Sequence, residues 1–117
     1  MARDVRAILE ELNNGMEAVG AMKPEHMEAF GGFAGVALGE GALDVKTKEL
    51  IAIAISVYSR CEYCIVSHVY AAFEAGCTKE ELLEAAFVAV AFSGGPGAAY
   101  TATVLMQSIE EFAKDFE

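Results

Sequence analysis

The sequence predicts an all-α protein, a single domain of five to six helices. Three observations predict it. Hydrophobic types make up 55% of the 117 residues, with long alanine-rich stretches, and only two prolines interrupt them. Alanine and unbranched side chains lose least on entering a helix. Apolar residues recur at helical spacing, and no stretch alternates in the manner of a strand flanked by turns. A chain of this length fits one core, so residues 1–117 read as one domain.

Each element has its own signal. Residues 3–19 place Val5, Ile8, Leu9, Leu12, Met16 and Val19 on one apolar stripe. Pro24 suits the first position of a second helix, weakened at Gly31-Gly32 and ending near Gly39 or Gly41. Asp44 can cap a third helix to about Tyr58. Ser59-Arg60-Cys61-Glu62 has the form of a capping box opening a fourth helix, over about 60–75, which Gly76 stops. Thr78-Lys79-Glu80-Glu81 repeats the box and opens a fifth, to about Phe92. The last helix begins near Pro96 and reaches the C-terminal acids.

Composition excludes several function classes. Eighteen acids against eight bases leave a net charge of −10 and no basic patch, so no nucleic-acid partner is expected. Residues Ala85 to Met106 are 22 without a charge, long enough to cross a bilayer, but Ser93-Gly94-Gly95-Pro96-Gly97 breaks them midway. Two buried helices joined by a turn are expected there, and no membrane partner. The start, Met1-Ala2-Arg3-Asp4-Val5-Arg6, lacks the apolar core of a secretory signal, and three cysteines suit no secreted disulfide framework. Both point to the cytoplasm. Phe87, Val88, Val90, Ala91 and Phe92 cover most of a helix circumference, which suggests a subunit interface and a homo-oligomer.

The chemistry gathers on Cys61-Glu62-Tyr63-Cys64-Ile65-Val66-Ser67-His68. On a helix Cys64 lies about 60° from Cys61 with His68 between them, so all three share one strip, while Tyr63 points away. With Ser59 as N-cap, Cys61 falls at the second helical position, where the helix dipole favours a thiolate. Cys64 gains more from His68, which can take its proton. The turn near Ser59 should fold the third helix back on the fourth, bringing Glu49 within about one turn of His68. Its helical neighbours Ala52, Ile53 and Ser56 make a largely apolar surround, where a carboxylate must pair or take up a proton. The plainer reading exposes Glu49 beside Lys46 or Lys48.

Other readings compete. Zinc could take Cys61, Cys64, His68 and Glu49, although one ligand pair is less than most structural sites show. The cysteines could also be inert and buried. No βαβ pattern supports a thioredoxin fold, and a haem attachment needs histidine where Ile65 stands. His26, beside Glu25 and Glu28, reads as a surface residue, and Cys77 as a small apolar filler. Gly94-Gly95-Pro96-Gly97 lacks the lysine of a phosphate loop.

Glu49, then Cys61, Cys64 and His68, resemble the signature of the alkyl hydroperoxidase D-like proteins of the carboxymuconolactone decarboxylase superfamily. Lys48-Glu49-Leu50-Ile51-Ala52 and Ala75-Gly76-Cys77-Thr78-Lys79-Glu80-Glu81-Leu82 share the likeness, which covers about residues 25–110. The resemblance implies an all-helical fold in trimers or hexamers and reduction of hydroperoxides through a disulfide cycle. It implies that Cys64 attacks the peroxide and becomes a sulfenic acid, and that Cys61 resolves it to a disulfide. Glu49 and His68 would move protons, and a dithiol or protein reductant would reopen the disulfide. No bound cofactor or metal is implied. The best-studied type has a further histidine between the cysteines, where this chain has Tyr63. The decarboxylase branch typically lacks the cysteine pair; an enzyme of that kind would use Glu49 and His68 alone.

Overall fold

The caps form largely where side-chain chemistry calls for them. The computed structural model describes residues 3–117; Met1 and Ala2, at the start read for an export signal, lie outside them. The order is α1 (Val5–Met22), α2 (Pro24–Leu38), α3 (Val45–Tyr58), α4 (Glu62–Glu74), α5 (Lys79–Ser93) and α6 (Gly95–Tyr100), then a π turn (Thr101–Leu105), α7 (Met106–Phe112) and a 3₁₀ turn (Ala113–Asp115). No strand occurs among the described residues. Asp4, Asp44 and Thr78 accept the N–H groups of Ala7, Thr47 and Glu81 at 3.0, 2.8 and 3.2 Å. Pro24 opens α2, and the box at Thr78 is complete, with the Thr78 N–H donating to Glu81 Oε1. Gly76 stops α4 at φ 91°.

The core lies where α3 packs on α4 and α5, closed from behind by the π turn and α7. Ile53, Val57, Ile65, Leu82, Leu105 and Phe112 are fully buried there. At 20–33 cal/mol per Å² of apolar surface, each such residue contributes on the order of 1.5–3 kcal/mol. α1 joins this core through Val5, Ile8 and Leu9, and Arg6 ties it to the C-terminus. The Arg6 guanidinium takes Glu111 at 2.7 Å and grips both oxygens of Asp115.

Three expectations change. The stripe on α1 covers core only in its first half, and Met16 and Val19 are exposed. α2 runs unbroken through Gly31 and Gly32, because a glycine costs a helix only about 1 kcal/mol. It buries none of its residues and rests on α1 and α3. The two helices on either side of Gly94 (φ 65°) do form, but each is buried on one face only. Phe92 is 79% exposed, and Phe87 and Val88 lie beside it in the open. No helix among the described residues is long and apolar enough to cross a membrane.

Candidate functional site

The α3–α4 turn sets the positions of the cysteines. Arg60 takes a left-handed conformation (φ 55°), its N–H donating to Val57 O at 3.1 Å, while the Cys61 N–H donates to Ser56 O at 3.1 Å. This pair of bonds is the Schellman closure of a helix. Ser59 is therefore the right-handed C-cap of α3, and its hydroxyl donates back to Ser56 O. The box expected on Ser59 and Glu62 does not form, and Glu62 pairs instead with Arg3 at 3.4 Å. The N-cap of α4 is Cys61, whose Sγ accepts the Cys64 N–H at 3.2 Å.

That shift corrects the position of Cys61. It stands one residue outside the helix, at φ −96° and ψ 103°, rather than at its second position. The sulfur still meets one N-terminal N–H of α4, that of Cys64, so the dipole argument survives with a different donor geometry. The extended Cys61 lies outside the first turn of α4, which stays helical beneath the bridge. Cys61 and Cys64 form a disulfide with their Cα atoms 5.2 Å apart, inside the usual span.

Packing of α3 on α4 then sets the acid and the base. Glu49, only 5% exposed, places Oε1 2.8 Å from His68 Nδ1. The surround of Ala52, Ile53 and Ser56 makes this contact necessary, since Ser56 turns its own hydroxyl onto Ala52 O. A buried carboxylate without a partner would be costly. With Nδ1 engaged, Nε2 is the ring nitrogen left for a second partner.

Cys64 and His68 line a cavity of about 410 Å³ between α2, the loop after it, α3 and the start of α4. Its walls are mostly apolar, from Leu38 and Leu43 on one side and Ile51, Ala52 and Ile55 on the other. Ser56, Ser59 and Lys48 add polar atoms. Cys61 is not among the lining residues, so the two sulfurs differ in what can reach them.

The pattern of the carboxymuconolactone decarboxylase family matches residues 24–107. The chain belongs to this family. An uncharacterized protein of Cupriavidus necator is 35% identical over 105 residues, covering 90% of this chain and 93% of that one. The alkyl hydroperoxide reductase AhpD of Mycobacteroides abscessus is 35% identical over 69 residues, 59% of this chain and 39% of that protein. Among solved structures, a carboxymuconolactone decarboxylase family protein of Legionella pneumophila superposes with a TM-score of 0.89 at 38% identity, over 93% of this chain and 96% of its own. Another family member, from Thermotoga maritima and described as having a possible part in antioxidative response, gives 0.72 at 26% identity, over 84% and 88%.

Other residues of this family member fall into place around the site. Tyr63 points away from the cavity and donates to Glu11 of α1, whose carboxylate pushes the phenol above its ordinary value. Cys77 is buried, its Sγ 3.7 Å from Lys46 O, and burial raises its thiol, which keeps it unreactive. His26 is exposed. Among the described residues no three His, Cys, Asp or Glu side chains stand together so as to hold a metal ion.

Sequence reasoning missed the role of Lys48, treating it only as a partner for an exposed Glu49. Lys48 turns to the cavity and donates to Gly39 O at 2.6 Å. A signal for it existed: Lys48, Ile51, Ala52, Ile55 and Ser59 follow the i, i+3, i+4, i+7, i+11 spacing of one helix face. Leu38 and Leu43 had no such signal, since α2 meets this face only through tertiary packing.

Proposed function

We propose that the protein is a thiol-dependent peroxidase that reduces hydroperoxides through a Cys61/Cys64 dithiol–disulfide cycle. The observation that carries this reading is the grouping on one cavity wall of Cys64 and His68, with Cys61 in disulfide reach and Glu49 held on His68. In the reduced protein His68 accepts the Cys64 thiol proton, and Glu49 steadies the imidazolium that results. The Cys64 thiolate attacks the terminal peroxide oxygen, the O–O bond breaks, and the alcohol leaves with a proton from His68. Cys64 is then a sulfenic acid. The Cys61 sulfur attacks it, the S–O bond breaks, water leaves and the disulfide forms. An external dithiol or protein reductant returns two electrons and two protons by thiol–disulfide exchange. Tyr63, in the place of the relay histidine, leaves Glu49 and His68 as the proton route.

Intact mass after thiol alkylation, with and without a hydroperoxide, tests the core of this cycle. Alkylated in denaturant, so that buried Cys77 also reacts, three thiols should label in the reduced protein and one after peroxide, with Cys61 and Cys64 the pair that disappears. Retention of all three thiols would sink the proposal. The Glu49–His68 pair contains no sulfur and could by itself move a proton in a lactone substrate. Lactone turnover by a Cys61→Ser/Cys64→Ser double variant would move the assignment to the decarboxylase branch.

We further propose a homo-oligomer, a trimer or hexamer, that works in the reducing cytoplasm. Phe33 and Phe92 are 73% and 79% exposed, with Phe87, Val88 and Val36 also bare. Phe33 and Val36 lie on α2 and Phe87, Val88 and Phe92 on α5, and bare apolar residues in such number support an interface. Sedimentation at micromolar concentration should return a multiple of the 12.4 kDa chain, and a monomer would overturn it.

A further inference from the structure

We propose that the Cys64 cavity recognises an amphiphilic monocarboxylate through Lys48, so that the preferred hydroperoxide has an apolar body and carries a carboxylate. The charges of the chain point there. Four of the eight basic side chains, Arg3, Arg6, Lys46 and Lys114, pair with carboxylates. Lys23, Arg60 and Lys79 are exposed and need no partner. Lys48 is the exception: half-buried, facing an apolar cavity, with no carboxylate within ion-pair distance among the described residues. Its bond to Gly39 O uses one of three ammonium protons and leaves two.

A cation drawn into an apolar wall costs free energy until an anion meets it. With Cys64 held in the disulfide, the ionisable side chains lining this cavity are Lys48 and His68, so no carboxylate of the lining competes for the ammonium. A cavity of about 370 Å³ across α3 is the reverse: Glu81 and Glu84 line it and no basic side chain does, although Lys46 reaches Glu81 from outside that lining. The net charge of −10 repels anions at a distance, but salt screens that field beyond about 8 Å. A contact inside the cavity is not screened in this way. Lys48 and Ile51, Ala52 and Ile55 lie along one face of α3, so a carboxylate on Lys48 lays its apolar chain along that wall beside Cys64. The volume suits one small ligand.

The hydroperoxide part of this inference rests on the peroxidase reading; recognition of the carboxylate does not. Decanoate, which has no redox chemistry, is therefore the first probe, with decanol as its neutral match, titrated by calorimetry into the oxidised full-length protein. Decanoate should bind about tenfold or more tightly than decanol. Lys48→Met should remove that preference, and Lys48→Arg should restore it. Equal binding of the two probes by the unaltered protein would overturn the inference without recourse to any variant. So would an undiminished preference in a folded Lys48→Met protein. The second measurement is single-turnover oxidation of the reduced protein by linoleate hydroperoxide and by its methyl ester, read as disulfide formation. The free acid should react at lower concentration than the ester, and Lys48→Met should narrow the gap. An ester preferred over the acid would overturn the inference. If no hydroperoxide oxidises the protein but the decanoate preference stands, the peroxidase reading falls and recognition of the carboxylate is upheld.

Discussion

The chain makes the same turn twice, and the two versions differ in the residues placed on it. After α3, Arg60 donates to Val57 O and Cys61 to Ser56 O; after α4, Gly76 donates to Phe73 O and Cys77 to Ala72 O. Both are Schellman closures in which a cysteine follows the left-handed residue and donates the outer bond. The second uses the residues that physical chemistry recommends: glycine in the left-handed position, a buried cysteine, then Thr78 and Glu81 as a full capping box. The first places Arg60 in the left-handed position and asks Cys61 both to end one helix and to cap the next. A left-handed non-glycine residue costs roughly 1 kcal/mol, and sulfur is a weaker cap than oxygen. The more strained turn carries the disulfide sulfurs on which the proposed cycle runs, and the well-made one carries the free, buried thiol. Local strain of this kind persists only where surrounding structure over-determines it, and it concentrates at functional sites.

Exchanging features between the turns tests that contrast. The largest effect should separate the cysteines: Cys64→Ser abolishes peroxide-driven disulfide formation, while Cys77→Ser leaves the rate of peroxide reduction within about twofold. Peroxide consumption with a dithiol reductant measures both. Next is the acid facing the first turn. Glu49→Gln should slow peroxide reduction by about 10²-fold or more, the scale of a lost proton-transfer partner, with secondary structure retained by circular dichroism. Unchanged turnover would remove Glu49 from the mechanism.

Stability variants should move in opposite senses at the matched positions. Gly76→Ala should lower unfolding stability by about 1–2 kcal/mol, because alanine resists the left-handed conformation. Arg60→Gly should raise it by up to about 1 kcal/mol. Thr78→Ala should cost about 1 kcal/mol, the usual worth of an oxygen cap. Urea denaturation of the three variants checks the signs, and a destabilised Arg60→Gly would show that Arg60 is held by something stronger than the turn.

The smallest effect is a pH dependence confined to the second turn. The Thr78 N–H and then the Lys46 ammonium hold the Glu81 carboxyl below its ordinary 4.5. A carboxyl lowered on folding binds its proton more weakly in the folded than in the unfolded state. Its contribution is therefore present above pH 4.5 and lost as pH falls through the lowered value. The difference in melting temperature between wild type and Glu81→Gln should be widest near neutrality and should close on acidification.

Much of this was legible because it is local. Caps at Asp44 and Thr78, the start at Pro24 and the stop at Gly76 depend on groups within four residues of one another. The facing of Glu49 and His68 was also within reach, since a short turn makes adjacent helices antiparallel and fixes the register to about one turn. The Ser59 box failed for a reason no local rule ranks. Reversal through a left-handed Arg60 made Ser59 the C-cap of α3 and left Cys61 as the N-cap of α4. The π turn at Thr101–Leu105, in a segment read as one helix, had no sequence signal either.

The amino-acid order alone determined the helices, most of their ends and the thiol pair, because backbone hydrogen bonds and caps act over a single turn. Tertiary structure decided that Cys64 opens on the cavity while Cys61 does not, and that Lys48 enters the apolar wall beside it. It also decided that α2 covers the site without burying any residue of its own. Those outcomes depend on how rigid rods settle against each other. Many weak contacts, spread over residues distant in the chain, add up to fix that arrangement.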